Sequence, residues 1–280
     1  TLEQALSSYD DVSGLWPAIV TAVSADTAEA YVQDGQSIKL PVADMKWALG
    51  YARKADIGDK GVASILRPGD IIRVREVEDT QTAPASPASK AAKVVVKDAK
   101  HWELEQIPAA QSAMVVLSPD DGAVKALVGG FNFHLSKFNR AVQTARQPGS
   151  SFKPFIYSAA FSRGYTPASI FNDAPIALPD PSKPGGLWTP QNDDGKFRGP
   201  MRLREALAQS VNLVAIRLLD AVGVRYARDY VTRFGFPADA IPPNLSMALG
   251  TASVSPMAMA RAYAVFANGG FLVTPYYVAE

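Results

Sequence analysis

Gln147-Pro148-Gly149-Ser150-Ser151-Phe152-Lys153-Pro154-Phe155 decides how this chain is read. Pro148-Gly149 is a turn dipeptide. The apolar spacing that follows, Phe152, Phe155, Ile156, Ala159 and Ala160, marks one face of a helix beginning at Ser150. A serine in the first turn of a helix sits among backbone N–H groups that no intrahelical carbonyl accepts. Those donors, with the helix dipole, suit a developing oxyanion. Lys153 lies three residues on, on the same face. A neutral lysine there takes a proton from the serine hydroxyl. Its free pKa is too high for a base at neutral pH, so burial or a second cation must lower it. Ser151 has no lysine in this register, because position 154 is proline. The spacing alone is uninformative, and its ordinary reading is a capping serine with a solvated lysine; the turn-to-helix context is what gives it weight.

Working outward, Ser210-Val211-Asn212 falls between two apolar runs of helical spacing, Leu203 to Leu207 and Leu213 to Leu219. A Ser-x-Asn triplet on an extended turn sets a hydroxyl that relays a proton beside an amide that holds a carbonyl or an amine. The competing reading is an N-cap serine with a polar neighbour. Tyr226 to Phe234 is a further short helix. Pro256 to Phe266 is another, capped by Ser255, opened by Pro256 and closed by Gly269. Gly164 is the expected C-cap of the helix after Ser150. Residues 172–200, rich in Pro, Gly and Asp, are expected as one long loop. Before the nucleophile segment, Ala113 to Leu117 and Val124 to Val128 flank Asp120-Asp121-Gly122 as a β-hairpin.

Residues 16–108 are of another kind. Pro17 to Val23, Thr27 to Val32, Gln36 to Leu40, Ile71 to Val77 and Trp102 to Ile107 alternate as strands. A helical turn is expected over Asp44 to Leu49 with Asp44 as its cap, and a further strand over Val94 to Val96. Short strands so spaced suggest a small barrel. Asp79 to Ala92 is low-complexity and is expected as a mobile loop within that barrel. The expected domains are a linker over 1–12, a barrel over 13–108 and an α+β domain over 109–280. Of the 280 residues, 48% are hydrophobic and 20% charged, an ordinary globular balance. The net charge of +1, with basic residues scattered, gives no electrostatic reason to bind nucleic acid. Cysteine is absent, and the two histidines, His101 and His134, stand apart, so neither a disulfide nor a metal site is expected. No cofactor is called for.

Ser-x-x-Lys followed by a Ser-x-Asn triplet forms two parts of the signature of penicillin-binding proteins and class A β-lactamases, whose third part is Lys-Thr-Gly. Around these motifs the sequence resembles class A penicillin-binding proteins of the 1A type, bifunctional cell-wall synthases. The resemblance runs through Ile107–Ala113, Gly122–Gly130, Arg146–Phe155, Trp188–Asn192, Arg204–Asn212 and Ala248–Thr251, and more loosely through an OB-type barrel over residues 13–107. It implies the penicilloyl-serine transferase fold, a five-stranded antiparallel sheet flanked by helices. It implies D,D-transpeptidation of peptidoglycan stem peptides through a serine acyl-enzyme that β-lactams also form. Carried over by position, Ser150 is the nucleophile, Lys153 its base, Ser210 and Asn212 the second motif, and Gly149, Trp188, Asn192 and Thr251 substrate-binding residues. It also implies the periplasmic face of the bacterial inner membrane, with the anchor outside this chain, and admits a homo-oligomer. No Lys-Thr-Gly or Lys-Ser-Gly occurs; in the family that motif falls where numbering from Asn212 places it after Glu280, so the sequence is expected to be a piece of a longer protein. A β-lactam sensor shares the serine and lysine. A binding module with an inactive partner domain is the alternative of another class, with Trp16, Tyr31, Trp47 and Trp102 as stacking platforms, although aromatics at strand spacing more often belong to a core.

Overall fold

The computed structural model describes residues 1–33, 35–54, 61–78, 100–179 and 184–278. The chain divides into two units, Thr1–Gln111 and Ser112–Glu280. The expected mobile loop at Asp79 to Ala92 and the strand at Val94 to Val96 lie outside the described residues.

The first unit opens with α1 (Leu2–Leu6), where a linker was expected. Thr1 accepts from the Gln4 backbone while Gln4 reaches back to the Thr1 amine, a reciprocal cap, and Leu6 is fully buried. The strands are β1 (Trp16–Val23), β2 (Thr27–Val32), β3 (Ser37–Pro41), β4 (Ile71–Glu78) and β5 (Lys100–Glu105). They form one antiparallel sheet in the order β3-β2-β1-β4-β5. A bulge between Val20 and Ala22 bends β1, as curling a sheet requires. Every second residue faces inward: Ala28, Ala30 and Val32 of β2 and Ile38 and Leu40 of β3 are buried with Val20, Val74 and Leu104. A 3-10 turn (Val42–Met45) runs straight from β3 into α2 (Lys46–Lys54). Asp44 therefore lies inside the turn rather than capping a helix. Trp102 packs on the core, whereas Trp16 and Trp47 are exposed, the latter donating its indole N–H to the Leu104 carbonyl at 2.8 Å.

In the second unit β6 (Met114–Leu117) and β7 (Val124–Val128) form the expected hairpin. Among the described residues this hairpin, with a parallel bridge from Ala123 to Tyr276, is what the unit shows of the five-stranded sheet implied for it; the five-stranded sheet observed belongs to the first unit. A 3-10 turn (Gly149–Phe152) leads into α3 (Lys153–Phe161). The helix proper thus begins at Lys153, not at Ser150. The rest comprises β8 (Ile170–Asp173), β9 (Leu178–Pro179), β10 (Leu187–Trp188), β11 (Gly199–Arg202), α4 (Leu203–Ala208), α5 (Asn212–Val222), α6 (Val224–Val231) and α7 (Pro256–Ala267). Two short ladders, β8 with β11 and β9 with β10, structure the segment expected as loop.

α5 is buried nearly all round, through Leu213, Val214, Ala215, Ile216, Leu218, Leu219 and Val222, and packs against α3. The Phe155 ring is 5.0–5.4 Å from those of Phe152, Phe234, Phe236, Tyr263 and Phe266. Such aromatic contacts contribute about 0.5–1.5 kcal/mol each beyond area burial. They pack α3 against the core two residues after Lys153.

Candidate active site

The turn bearing Ser150 is built from backbone. Gly149 adopts φ +59°, a left-handed conformation that costs an L side chain about 1–2 kcal/mol. Its N–H donates to the Gly250 carbonyl at 3.1 Å. Gly250 is itself left-handed, φ +71°, and a Cβ there would overlap the Gly149 carbonyl. Arg146 and Val254 exchange two backbone hydrogen bonds of 3.1 and 3.0 Å, and the Tyr263 hydroxyl donates to the Ser151 carbonyl at 2.7 Å. Ser150 is left exposed on this frame, with its carbonyl accepting from the Lys153 N–H in 3-10 register.

Lys153 is 1% exposed. Its Nζ donates to the Ser210 carbonyl (2.6 Å), the Ser210 hydroxyl (3.0 Å) and Asn212 Oδ1 (2.7 Å). The three donors of an ammonium are thereby spent, none of them on Ser150. Burial pulls the Lys153 pKa down to about 8, against a smaller upward pull from the Asp193 carboxylate. An amine at that pKa is partly neutral near physiological pH.

Ser210 has φ +54°. It follows α4, where its N–H bonds the Leu207 carbonyl at 3.0 Å and the Val211 N–H bonds the Ala206 carbonyl at 2.9 Å. These two bonds form a Schellman motif with Ser210 at the left-handed position normally given to glycine. The turn therefore carries strain to place a hydroxyl on Lys153. It also removes Ser210 from the N-cap role: the N-cap of α5 is Val211, which has no side chain to cap with.

Asn192 supplies that cap from a neighbouring loop. Its Oδ1 accepts from the N–H groups of Asn212 (2.9 Å) and Leu213 (3.3 Å), and its Nδ2 donates to Asp173 (2.8 Å) and the Lys196 carbonyl (2.7 Å). Both ends of this buried amide are used within the protein, and its oxygen holds the backbone N–H of Asn212. Asp173 is buried and also accepts from the Arg198 backbone at 2.9 Å. Trp188, on β10, packs on the core. Thr251 shares a 2.7 Å hydrogen bond with Ser246 next to Gly250. The structure thus joins Lys153, Ser210, Asn212 and Asn192 in one hydrogen-bonded group, and links Gly149 to the segment preceding Thr251. Gly250, Gln191, Asp193, Asp173 and Tyr263 were missed as site residues; the only signal for Gly250 and Gln191 was their place inside matching stretches. Among the described residues no cluster of histidine and carboxylate side chains could hold a metal.

The frame leaves Ser150 exposed and sinks Lys153 beneath the Ser210-Val211-Asn212 turn, a placement that suits acyl transfer. Residues 112–280 match the family model described as the penicillin binding protein transpeptidase domain, and residues 1–110 the penicillin-binding protein OB-like domain. The chain belongs to the penicillin-binding protein transpeptidase family. Within it the chain is of the class A, 1A type: it is 44% identical over 275 residues to penicillin-binding protein 1A of Pseudomonas aeruginosa and 43% over 268 to that of Escherichia coli. These alignments cover 98% and 95% of this chain but 31% and 29% of the relatives, so the chain spans about a third of their length. The crystal structure of penicillin-binding protein 1A from Haemophilus influenzae superposes with a TM-score of 0.79 at 37% identity, over 98% of this chain and 36% of that one. The PonA1 protein of Mycobacterium tuberculosis in complex with penicillin V matches 60% of this chain and 47% of its own, with a TM-score of 0.51 at 28% identity.

Proposed function

We propose that this chain carries the nucleophile half of a D,D-transpeptidase site that cross-links peptidoglycan stem peptides and is acylated by β-lactams. The observation that carries the reading is the buried Lys153, held at about pKa 8 between Ser210 and Asn212. A neutral amine keeps two N–H donors and gains one lone pair. The Ser210 carbonyl and Asn212 Oδ1 can only accept, so they hold the two donors, and the lone pair falls where the third had pointed. There it takes a proton from Ser150, relayed through the Ser210 hydroxyl, as Oγ attacks the penultimate D-Ala carbonyl. The carbon–oxygen bond forms, the tetrahedral intermediate collapses, and the terminal D-Ala amine leaves with the proton from Lys153. An amine on a neighbouring strand then takes the acyl group by the reverse sequence. A β-lactam acylates Ser150 in the same way, with the ring nitrogen leaving; the PonA1 complex with penicillin V supports this partner.

From the resemblance to the 1A type we also infer a place in cell-wall synthesis, at the periplasmic face of the inner membrane, as part of a bifunctional protein. Among the described residues no helix is long and apolar enough to cross a membrane. Mass spectrometry of the protein treated with penicillin tests the reading. The adduct is expected on the peptide containing Ser150, retained in Ser151→Ala and lost in Ser150→Ala. An adduct that persists in Ser150→Ala overturns it.

A further inference from the structure

The acceptor that Lys153 finds in Asn212 depends on which end of an amide faces it. Half a turn of that amide exchanges its oxygen and its amino group. With Oδ1 toward Lys153 the amide accepts from the amine at 2.7 Å. Inverted, it sets a donor against a protonated lysine. Against a neutral lysine it caps the lone pair at the moment the base must use it. The loop at 191–193 decides between the two: Asn212 Nδ2 donates to the Gln191 carbonyl at 3.0 Å and to Asp193 Oδ1 at 3.2 Å, and both are acceptors only.

We propose that Asp193 is a positioning residue for the base: hydrogen-bonded to Asn212 Nδ2, its carboxylate locks that amide with the oxygen toward Lys153, and its negative charge opposes the loss of the lysine proton. The inference rests on Lys153 being the base. Among the described residues the other charged groups near the lysine are engaged elsewhere or exposed. The turn at 149–152 and the 3-10 helix Leu245–Leu249 carry no ionisable side chain, and Ser210 and Asn212 are neutral. On α5, Arg217 donates to the carbonyls of Ala174 and Pro175. In the loop itself, Asp194 is paired with Arg198 at 2.8 Å, Arg198 also faces Asp173, and Lys196 is exposed. Asp193 is the carboxylate left facing the Lys153–Asn212 pair, and it draws the lysine pKa upward against burial.

The test is the pH profile of acylation by a fluorescent penicillin, for the full protein and for Asp193→Asn, Asp193→Ala and Lys153→Met. In the wild type the rate climbs with pH as Lys153 loses its proton. Removing the carboxylate charge takes away the upward pull, so in both Asp193 variants the midpoint of that climb is expected about half a pH unit lower, the scale of one partly exposed charge. The alanine also frees the amide to invert, so its high-pH plateau should fall about tenfold, while the asparagine, which keeps an acceptor oxygen, loses less. Loosening of the site without any role for the charge would lower the plateau and leave the midpoint in place. Midpoints unchanged in both variants overturn the charge role, and an alanine plateau equal to that of the wild type overturns the lock. Lys153→Met separates the two levels: a climb that survives in it overturns the base assignment itself, whereas a climb lost there but unmoved in the Asp193 variants overturns only the part given to Asp193.

Discussion

Replacing Ser210 by glycine and by alanine separates what its backbone costs from what its hydroxyl does. At φ +54° a Cβ is strained, and glycine is favoured over alanine there by about 1 kcal/mol after its larger unfolded-state entropy is counted. Both substitutions delete the 3.0 Å hydrogen bond to Lys153, of a kind that contributes about 1.5–3 kcal/mol when one partner is charged. Both keep the 2.6 Å bond to the backbone carbonyl. Ser210→Ala should therefore destabilise the unit by about 1.5–3 kcal/mol. Ser210→Gly should be about 1 kcal/mol more stable than the alanine, roughly 2–4 °C in melting temperature for a unit of this size. Penicillin acylation should fall in both by the same factor, on the order of 100-fold, because neither has the hydroxyl that meets the lysine lone pair. Thermal denaturation and stopped-flow acylation of the two variants check this. A glycine variant no more stable than the alanine would mean the turn is not left-handed. Near-wild-type acylation in either would take the hydroxyl out of the proton path.

Gly250→Ala should unfold or displace the nucleophile turn, since its Cβ would overlap the Gly149 carbonyl; a loss of more than about 2 kcal/mol in denaturant titration is expected, with acylation falling alongside. Asn192→Ala removes the cap of α5 and strips a partner from the buried Asp173 carboxylate; a cost of about 2–4 kcal/mol is expected, and Asn192→Asp, which sets two carboxylates together, should be no milder. Stability should rise with pH from about 8, because the folded Lys153 has lost its proton there while the unfolded chain, with its lysine at about 10.5, still binds one. Lys153→Met should flatten that rise in denaturation midpoints between pH 8 and 9.5. Above about pH 10 the buried Tyr157 hydroxyl, whose pKa burial pushes up, works the other way and lowers stability.

The placement of Ser150 and Lys153 was legible because it follows side-chain order along one 3-10 turn and the helix it leads into. Ser150 and Lys153 stand three apart, and the apolar face beneath them, Phe152 to Ala160, is buried as its spacing required. The strands of the barrel were legible through alternation, with Thr27–Val32 matching to the residue. Other features depended on contacts between distant segments. Nothing local announces that Ser210 takes a conformation proper to glycine, because the hydrogen bond to Lys153 that justifies it comes from 57 residues away. Gly250 is an ordinary turn glycine until Gly149 is packed against it. The ladders within 170–202 are two to four residues long, too short for periodicity to show. The capped helix at the start is written in Thr1 followed three residues later by Gln4, but a run of five residues is too short for helical periodicity to show.

Lys153 must be neutral when the proton moves, and an NMR titration of its side-chain nitrogen in the folded protein reads that state. A midpoint near pH 8, with the signal lost in Lys153→Met, is the result the buried site predicts. A midpoint at or above the free value of about 10.4 would show a lysine charged throughout the physiological range. In that case it would be a fixed cation holding Ser210 and Asn212, and something else would have to take the proton from Ser150.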